Sequence, residues 1–241
     1  MTNFTILNND THRNTRIITE RGAEYGENIH LVPVIAEELN KLMLEYPVCL
    51  IKDNDTGQFG LHALLGFEAG ENLFLEGNKW QANYLPLHIR RQPFHVSVNS
   101  ANGEQPSADN TVITINMANT RVQESSGEHL FDEAGNSTAF MQEINSMLST
   151  LMNGIVRTQA FIQTLADYDL IESIQLSVNF IGEEQKRFDG IYTINEDKLK
   201  SLTAEQLCEL NNKGYLQACY LLLASMGHVQ KLINLKRQRL S

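Results

Sequence analysis

His62-Ala-Leu-Leu-Gly66-Phe-Glu-Ala-Gly70-Glu71-Asn72-Leu73-Phe74 opens the stretch around which this chain is organised. After a short polar break it resumes with Trp80, Tyr84-Leu85-Pro86 and Arg90-Arg91-Gln92-Pro93-Phe94. The chain's only Trp lies here, together with three Phe, a Tyr, two Pro and an Arg pair. Aromatic rings bury much area per residue, and the Trp and Tyr tips need polar partners. Glycines at 66, 70 and 77 permit turns that other residues resist. The stretch reads as a strand, a tight loop and a return segment packed into the core. It also admits a functional reading, in which Arg90 and Arg91, set between apolar anchors, form a fork for a carboxylate or phosphate. Neighbours on an extended segment face opposite sides, so one arginine is expected to be buried and paired and the other exposed. Trp80 is expected to be a buried anchor that closes the loop onto the preceding hairpin.

Outward from this stretch, the chain alternates hairpins and helices. Residues 31–35 read as an apolar entry to a helix over 36–45, which carries Leu39, Leu42 and Met43 at helical spacing and stops at Pro47. Residues 48–51 and 59–66 form a hairpin around the turn chemistry of Asp53-Asn-Asp-Thr-Gly57. Strands are expected at 4–7, 94–98 and 111–117. Residues 99–110 are the clearest loop and the one candidate joint between sub-domains. Ser137 is placed to cap the longest helix, whose stripe is Phe140, Ile144, Met147/Leu148, Leu151, Ile155, Ile162 and Leu165. Met141, Met147 and Met152 add adaptable contacts to a core or a partner surface. A second hairpin pairs 174–180 with 188–194. Thr203-Ala-Glu-Gln206 is a capping box. A final long helix is expected from 213 to 237, with Gly227 explained by the close approach of another backbone.

Several blocks carry a family resemblance: Tyr46-Pro47, Gly66, Glu71-Asn72-Leu73-Phe74, Trp80, Tyr84-x-Pro86 and Arg90-Arg91-x-Pro93-Phe94. It extends to Leu7-Asn8 with His12-Arg13, to Leu130-Phe131-Asp132, and from Gly190-Ile-Tyr192 through Leu199, Leu202, Gly214 and Leu216. In these blocks the chain resembles the bacterial SapC family over nearly its whole length. The family is named for an association with paracrystalline surface layers. The resemblance therefore implies a surface-layer or cell-envelope association, and it brings no catalytic residues with it.

Composition bounds the function. The chain has 241 residues, a formal net charge of -10 and a pI near 5.2. That balance argues against a nucleic-acid surface, which needs clustered Lys and Arg. Lys231, Lys236, Arg237 and Arg239 are the one basic cluster, read as cations at a helix C-terminus. Cys49, Cys208 and Cys219 are odd in number and lack C-x-x-C spacing, so they read as buried thiols in a reducing compartment. The N-terminus has no basic region followed by an apolar core, and no run reaches the length of a membrane span. The expected location is the cytoplasm.

Motifs that carry chemistry are scarce in this sequence. None of the seven His falls into H-E-x-x-H or another tight zinc pattern. His88 and His95 could share a metal only with a third ligand such as Glu71, and satisfied or exposed histidines fit better. There is no G-x-S-x-G, Walker A loop or G-x-G-x-x-G. Glu37-Glu38 and Glu183-Glu184 read as solvated faces. His12 and Arg13 read either as a binding pair or as a contact that pins the N-terminus.

The expectation is a single α+β domain over 1–241, with β-hairpins or one mixed sheet packed against two long helices. The function expected is that of a non-catalytic accessory or binding protein that recognises a protein or peptide, without metal or cofactor. The candidate binding residues are Arg90, Arg91, Trp80, Tyr84, Glu71, Asn72, His12 and Arg13. The alternative is an enzyme, or an accessory subunit of one, acting on peptides or glycans with a pocket around His62, His88, Arg90 and Arg91. Homo-oligomerisation is left open.

Overall fold

A computed structural model of the chain describes residues 3–98, 111–178 and 186–240. The loop expected at 99–110 and the turn expected at 182–184 lie outside the described residues. The fold is α+β, with several small sheets and a long helix at Ala139–Asp167. The chain divides into two compact units. The first comprises Met1–Glu27, Gly77–Lys79 and Leu87–Asn153, and the second Asn28–Glu76, Trp80–Pro86 and Gly154–Ser241.

The first unit holds two three-stranded antiparallel sheets. In one, Thr111–Asn116 lies between Phe4–Ile6 and Phe94–Val98. Phe94 pairs with Ile115, and both are fully buried, so this register puts the apolar alternation of the two strands on one inner face. In the other, Arg16–Ile17 is the centre, flanked by Val122–Gln123 and Glu128–His129. Gly127 is needed where the chain turns between those flanks. Its φ is 103°, and a Cβ there would sit 2.5 Å from the Ile17 carbonyl oxygen. Leu130 is fully buried and anchors the polar stretch in which it stands.

The second unit is built on a five-stranded antiparallel sheet. Its order is Ile171–Val178, Lys186–Ile194, Val48–Lys52, Phe59–Leu64 and Leu31–Pro33. Both expected hairpins are present, and they join into one sheet through Ile191 opposite Ile51 and Tyr192 opposite Leu50. The first hairpin turns where Asp53 Oδ1 accepts from the backbone N–H groups of Asp55 at 2.9 Å and Thr56 at 2.7 Å. Leu31–Pro33 is a strand rather than a helix entry, since it pairs with residues 62–64. Pro33 is tolerated there because this is an edge strand, where a missing N–H is harmless. The helix expected over 36–45 is shorter and begins as a 3₁₀ turn, Ala36–Glu38, followed by Leu39–Leu42.

Two helical expectations are corrected. The cap of the long helix is Thr138, not Ser137: Thr138 Oγ1 accepts from the Met141 N–H at 3.3 Å. Ile144, Met147, Leu148, Leu151, Ile162 and Leu165 are buried as expected, but Ile155 is 39% exposed. Its place in the stripe is taken by Gly154. A Cβ at Gly154 would lie 2.3 Å from Ile35 Cδ1, so glycine lets the helix pass directly over that side chain. One turn on, Thr158 Oγ1 accepts from the Ala36 N–H at 2.8 Å.

The second long helix is broken. Tyr215–Ser225 gives way to a 3₁₀ turn, Met226–His228, and then to Val229–Leu240. A Cβ on Gly227 would meet no other side chain or distant backbone within 4 Å among the described residues, so the glycine is not explained by a close approach at that position. The break is held instead by side chains. Ser225 is fully buried, accepts from the Val48 N–H at 3.0 Å and donates to the Leu222 carbonyl at 2.6 Å. His228 Nε2 donates to the Met43 carbonyl at 3.0 Å. The capping box stands as expected: Gln206 N–H donates to Thr203 Oγ1 at 3.2 Å and Thr203 N–H to Gln206 Oε1 at 3.0 Å, opening Ala204–Asn212. Among the described residues no helix is long and apolar enough to cross a membrane.

Candidate functional site

In the first unit the Arg90-Arg91 pair sits at the end of a helical turn, Leu87–Arg90, rather than on an extended segment. The two side chains nevertheless differ in kind. Arg91 is half-buried and occupied, donating from Nη1 to the Phe94 carbonyl at 2.9 Å and to His95 Nδ1 at 2.8 Å, and from Nε to His88 Nδ1 at 3.3 Å. Burial holds its pKa below the ordinary arginine value. Arg90 is exposed and makes no hydrogen bond or ion pair among the described residues. A guanidinium can only donate, so both imidazoles accept through Nδ1 in their neutral form. Burial and then the Arg91 charge lower the His95 pKa to about 4. These two histidines thus serve as acceptors for an arginine. Among the described residues no group of three or more His, Cys, Asp or Glu could hold a metal ion.

The same unit contains a cluster that sequence reasoning missed. Glu27 is fully buried, and its Oε1 accepts from both Arg121 Nη2 at 2.6 Å and Arg21 Nη1 at 2.7 Å. Its Oε2 accepts from the Gly22 N–H at 3.0 Å. Arg121 is 1% exposed and stacks 4.4 Å from the centre of the Tyr25 ring. Glu27 and Arg121 are 94 residues apart, and both stand in irregular polar sequence with no periodic signal to mark them.

His12 is built into the N-terminal turn: its Nε2 lies 3.1 Å from Thr5 Oγ1, and its Nδ1 lies 3.1 Å from the Asn8 carbonyl. Only 4% of it is exposed. Arg13 is exposed and donates to the Glu133 carbonyl.

In the second unit, Glu71 and Asn72 shape the loop after Gly66. Glu71 Oε2 accepts from the Phe67 N–H at 2.8 Å, and its Oε1 pairs with Lys236 Nζ at 2.5 Å. Asn72 is buried, and its Oδ1 accepts from the Phe74 N–H at 3.0 Å. Gly66 is required beside them, since a Cβ would come 2.6 Å from the Glu71 carbonyl oxygen. His62 donates from Nδ1 to the Gly60 carbonyl at 3.0 Å, and burial lowers its pKa. It belongs to a different unit from His88, Arg90 and Arg91. Cys49 and Cys219 are buried, and burial pushes each thiol up to about 12, which keeps them protonated and inert. Cys208, expected to be buried, is exposed.

Trp80 and Tyr84 are brought together by Tyr46. The Trp80 indole donates to the Tyr46 hydroxyl at 2.7 Å, and that hydroxyl donates to the Tyr84 carbonyl. Tyr46 itself is fully buried, which raises its pKa, and its ring packs on Phe74 with centroids 4.5 Å apart. The Tyr84 hydroxyl donates to Glu38 Oε1 at 2.9 Å, while Glu38 Oε2 accepts from the Ile35 N–H at 3.1 Å. Glu45 Oε1 accepts from the N–H groups of Asn83 at 2.8 Å and Tyr84 at 3.2 Å. Lys41 Nζ lies 5.1 Å from the Tyr84 ring centre. Trp80 is therefore an anchor by its polar edge, but it is half-buried rather than buried. Both rings keep exposed surface while their tips are fixed.

The SapC family model matches residues 7–232 of the 241. No curated protein matches the chain, and no solved structure does. Because the match takes in nearly all of the sequence, from the N-terminal turn around His12 to the last helix, the chain belongs to the SapC family.

Proposed function

We propose that this chain is a non-catalytic accessory protein, associated with the cell envelope or surface layer, that recognises a protein or peptide partner. The observation that carries the reading is the Trp80–Tyr46–Tyr84 arrangement. Trp and Tyr supply large, rigid contact area at low entropic cost, and they dominate the energetics of many interfaces. Here both rings are half-buried, with their polar tips already satisfied inside the protein, so a partner meets surface that needs little further ordering. Of the residues assigned to the alternative enzyme pocket, Arg91 donates to His88 and His62 donates to its own strand, while Arg90 makes no side-chain hydrogen bond among the described residues. The free, buried thiols Cys49 and Cys219 fit a reducing compartment, so the proposed site of action is the cytoplasmic side.

The test is affinity capture from native cells, with the wild type and Trp80→Ala in parallel and the fold of each checked by circular dichroism. The reading expects an envelope or surface-layer protein to be enriched by the wild type and lost by the folded variant. Equal capture by both, or enrichment of no envelope protein, counts against it.

A further inference from the structure

We infer that Lys231, on the last helix, is a positioning residue for the Trp80–Tyr84 surface and acts on it through Glu45 and Phe74. Its value to a partner rests on the reading of that surface proposed above, but the positioning itself is a property of the free chain. All the residues involved belong to the second unit.

Lys231 stands in the first turn of Val229–Leu240, not at its C-terminal end, so the helix dipole does not account for it. Its Nζ donates to the Glu45 carbonyl at 3.4 Å and lies 3.9 Å from Glu45 Oε2. The same Nζ sits 5.1 Å from the centre of the Phe74 ring. The two carboxylate oxygens of Glu45 thus divide their duties. Oε2 faces the ammonium, while Oε1 accepts from the N–H groups of Asn83 at 2.8 Å and Tyr84 at 3.2 Å. The Glu45 side chain is 15% exposed, and burying a carboxylate costs less when a cation faces it. A charged acceptor also holds amides more strongly than a neutral one. Lys231 therefore supports the two hydrogen bonds that fix the backbone at Tyr84.

Phe74 is the second route. Its ring is fully buried and packs on Tyr46, whose hydroxyl takes the Trp80 indole N–H at 2.7 Å. The Phe74 carbonyl accepts from the Gln81 N–H at 2.6 Å, next to Trp80. An ammonium over an aromatic face is attracted to it, so one side chain grips the supports of both Trp80 and Tyr84. Two more cations of the helix hold the segment that leads to Trp80. Lys236, 9% exposed, pairs with Glu71 at 2.5 Å, and Arg239 Nη2 donates to the Leu75 carbonyl at 2.6 Å. A partner that docks on Trp80 and Tyr84 then meets a surface whose order is set by a lysine it need not touch.

The experiment is amide hydrogen exchange, read by NMR on the full chain without a partner. Lys231→Met keeps an apolar stem against Phe74 and removes the ammonium. We expect the Asn83 and Tyr84 amides to exchange about fivefold faster or more, the scale of one net hydrogen bond. The amides of Ala204–Asn212, a helix with its own capping box, are the control and should keep their wild-type rates. Lys231→Arg should restore protection. In a Glu45→Gln background, Lys231→Met should change the two rates far less, since the carboxylate that carries the effect is gone. Lys231→Gln replaces the methionine variant if that one does not fold. A partner that is never captured counts against the docking surface and leaves these rates as they are. Unchanged rates at Asn83 and Tyr84, an equal rise in the control helix, no recovery with arginine, or a full effect in the Glu45→Gln background overturns the positioning role.

Discussion

The indole Nε1 of Trp80 donates to the hydroxyl of Tyr46 at 2.7 Å, so a half-exposed ring is held from beneath by one that is fully buried. Tyr46 stands just before Pro47, at the entry to strand Val48–Lys52, and Trp80 follows the Leu75–Glu76 segment. The hydrogen bond therefore ties the central sheet of the second unit to the returning chain. Tyr46→Phe keeps the buried ring but removes an acceptor from Trp80 and a donor from the Tyr84 carbonyl. It should cost roughly 1–3 kcal/mol, the usual cost of orphaning part-buried polar groups. Urea denaturation measures the loss, and the emission of the single Trp should shift towards that of a fully hydrated indole. An unchanged midpoint and spectrum would show that the tether does not matter.

Acid should weaken the first unit through His95. Its folded pKa is near 4, below the ordinary 6.5, because burial and Arg91 disfavour the charged ring. A histidine shifted this way stabilises the fold fully above about pH 6.5 and loses that contribution as pH falls towards 4. His62 is shifted in the same direction and adds to the wild-type slope. His95→Gln retains an acceptor for Arg91 but cannot titrate, so its stability should fall less steeply over that window. Denaturation midpoints across the range decide the matter, and parallel curves for the two proteins would refute the assignment.

Ser225 holds the break between the last two helices to the central sheet. Ser225→Ala leaves the buried Val48 N–H without its 3.0 Å acceptor and should cost roughly 1–3 kcal/mol. Ser225→Gly would add a backbone penalty, so alanine is the cleaner variant. Chemical denaturation is the measurement, and a loss below about half a kcal/mol would mean that another acceptor replaces the hydroxyl.

Gly154→Ala sets two effects against each other. Alanine gains roughly 1 kcal/mol of helix propensity over glycine. Its Cβ would stand 2.3 Å from Ile35 Cδ1 and 3.1 Å from Ile35 Cβ, and Ile35 is 1% exposed, so it must shift within the core. Overpacking of this kind costs about 1–3 kcal/mol, so net destabilisation is expected. A rise in melting temperature would show that the contact relaxes freely.

Much of the second unit's sheet was legible because its signals are local. Asp53, Thr56 and Gly57 announce a turn with their own side chains and backbone, and Thr203 with Gln206 announces a helix start within four residues. Leu31–Pro33 was misread because a three-residue apolar run has no period, and its strand character comes only from pairing with residues 62–64. The break at Met226–His228 left one trace, Gly227, but what holds it is Ser225 reaching Val48, 177 residues away. The site divides in the same way. The contrast between Arg90 and Arg91 was expected on a wrong premise, an extended strand, and arises from a helical turn in which Arg91 folds back onto His88 and His95. The Arg21–Glu27–Arg121 cluster is made entirely by tertiary contact, and nothing near any of the three residues marks it in the sequence.

If a partner docks over Trp80, the indole ring must sense the complex. The most direct measurement is ¹⁹F NMR of the full chain labelled with 5-fluorotryptophan, which gives one resonance because there is one Trp. The spectrum would be followed while the envelope protein recovered by affinity capture is titrated in. The resonance should shift or broaden saturably as the complex forms. A resonance that stays sharp and unmoved while the partner demonstrably binds would contradict docking at Trp80.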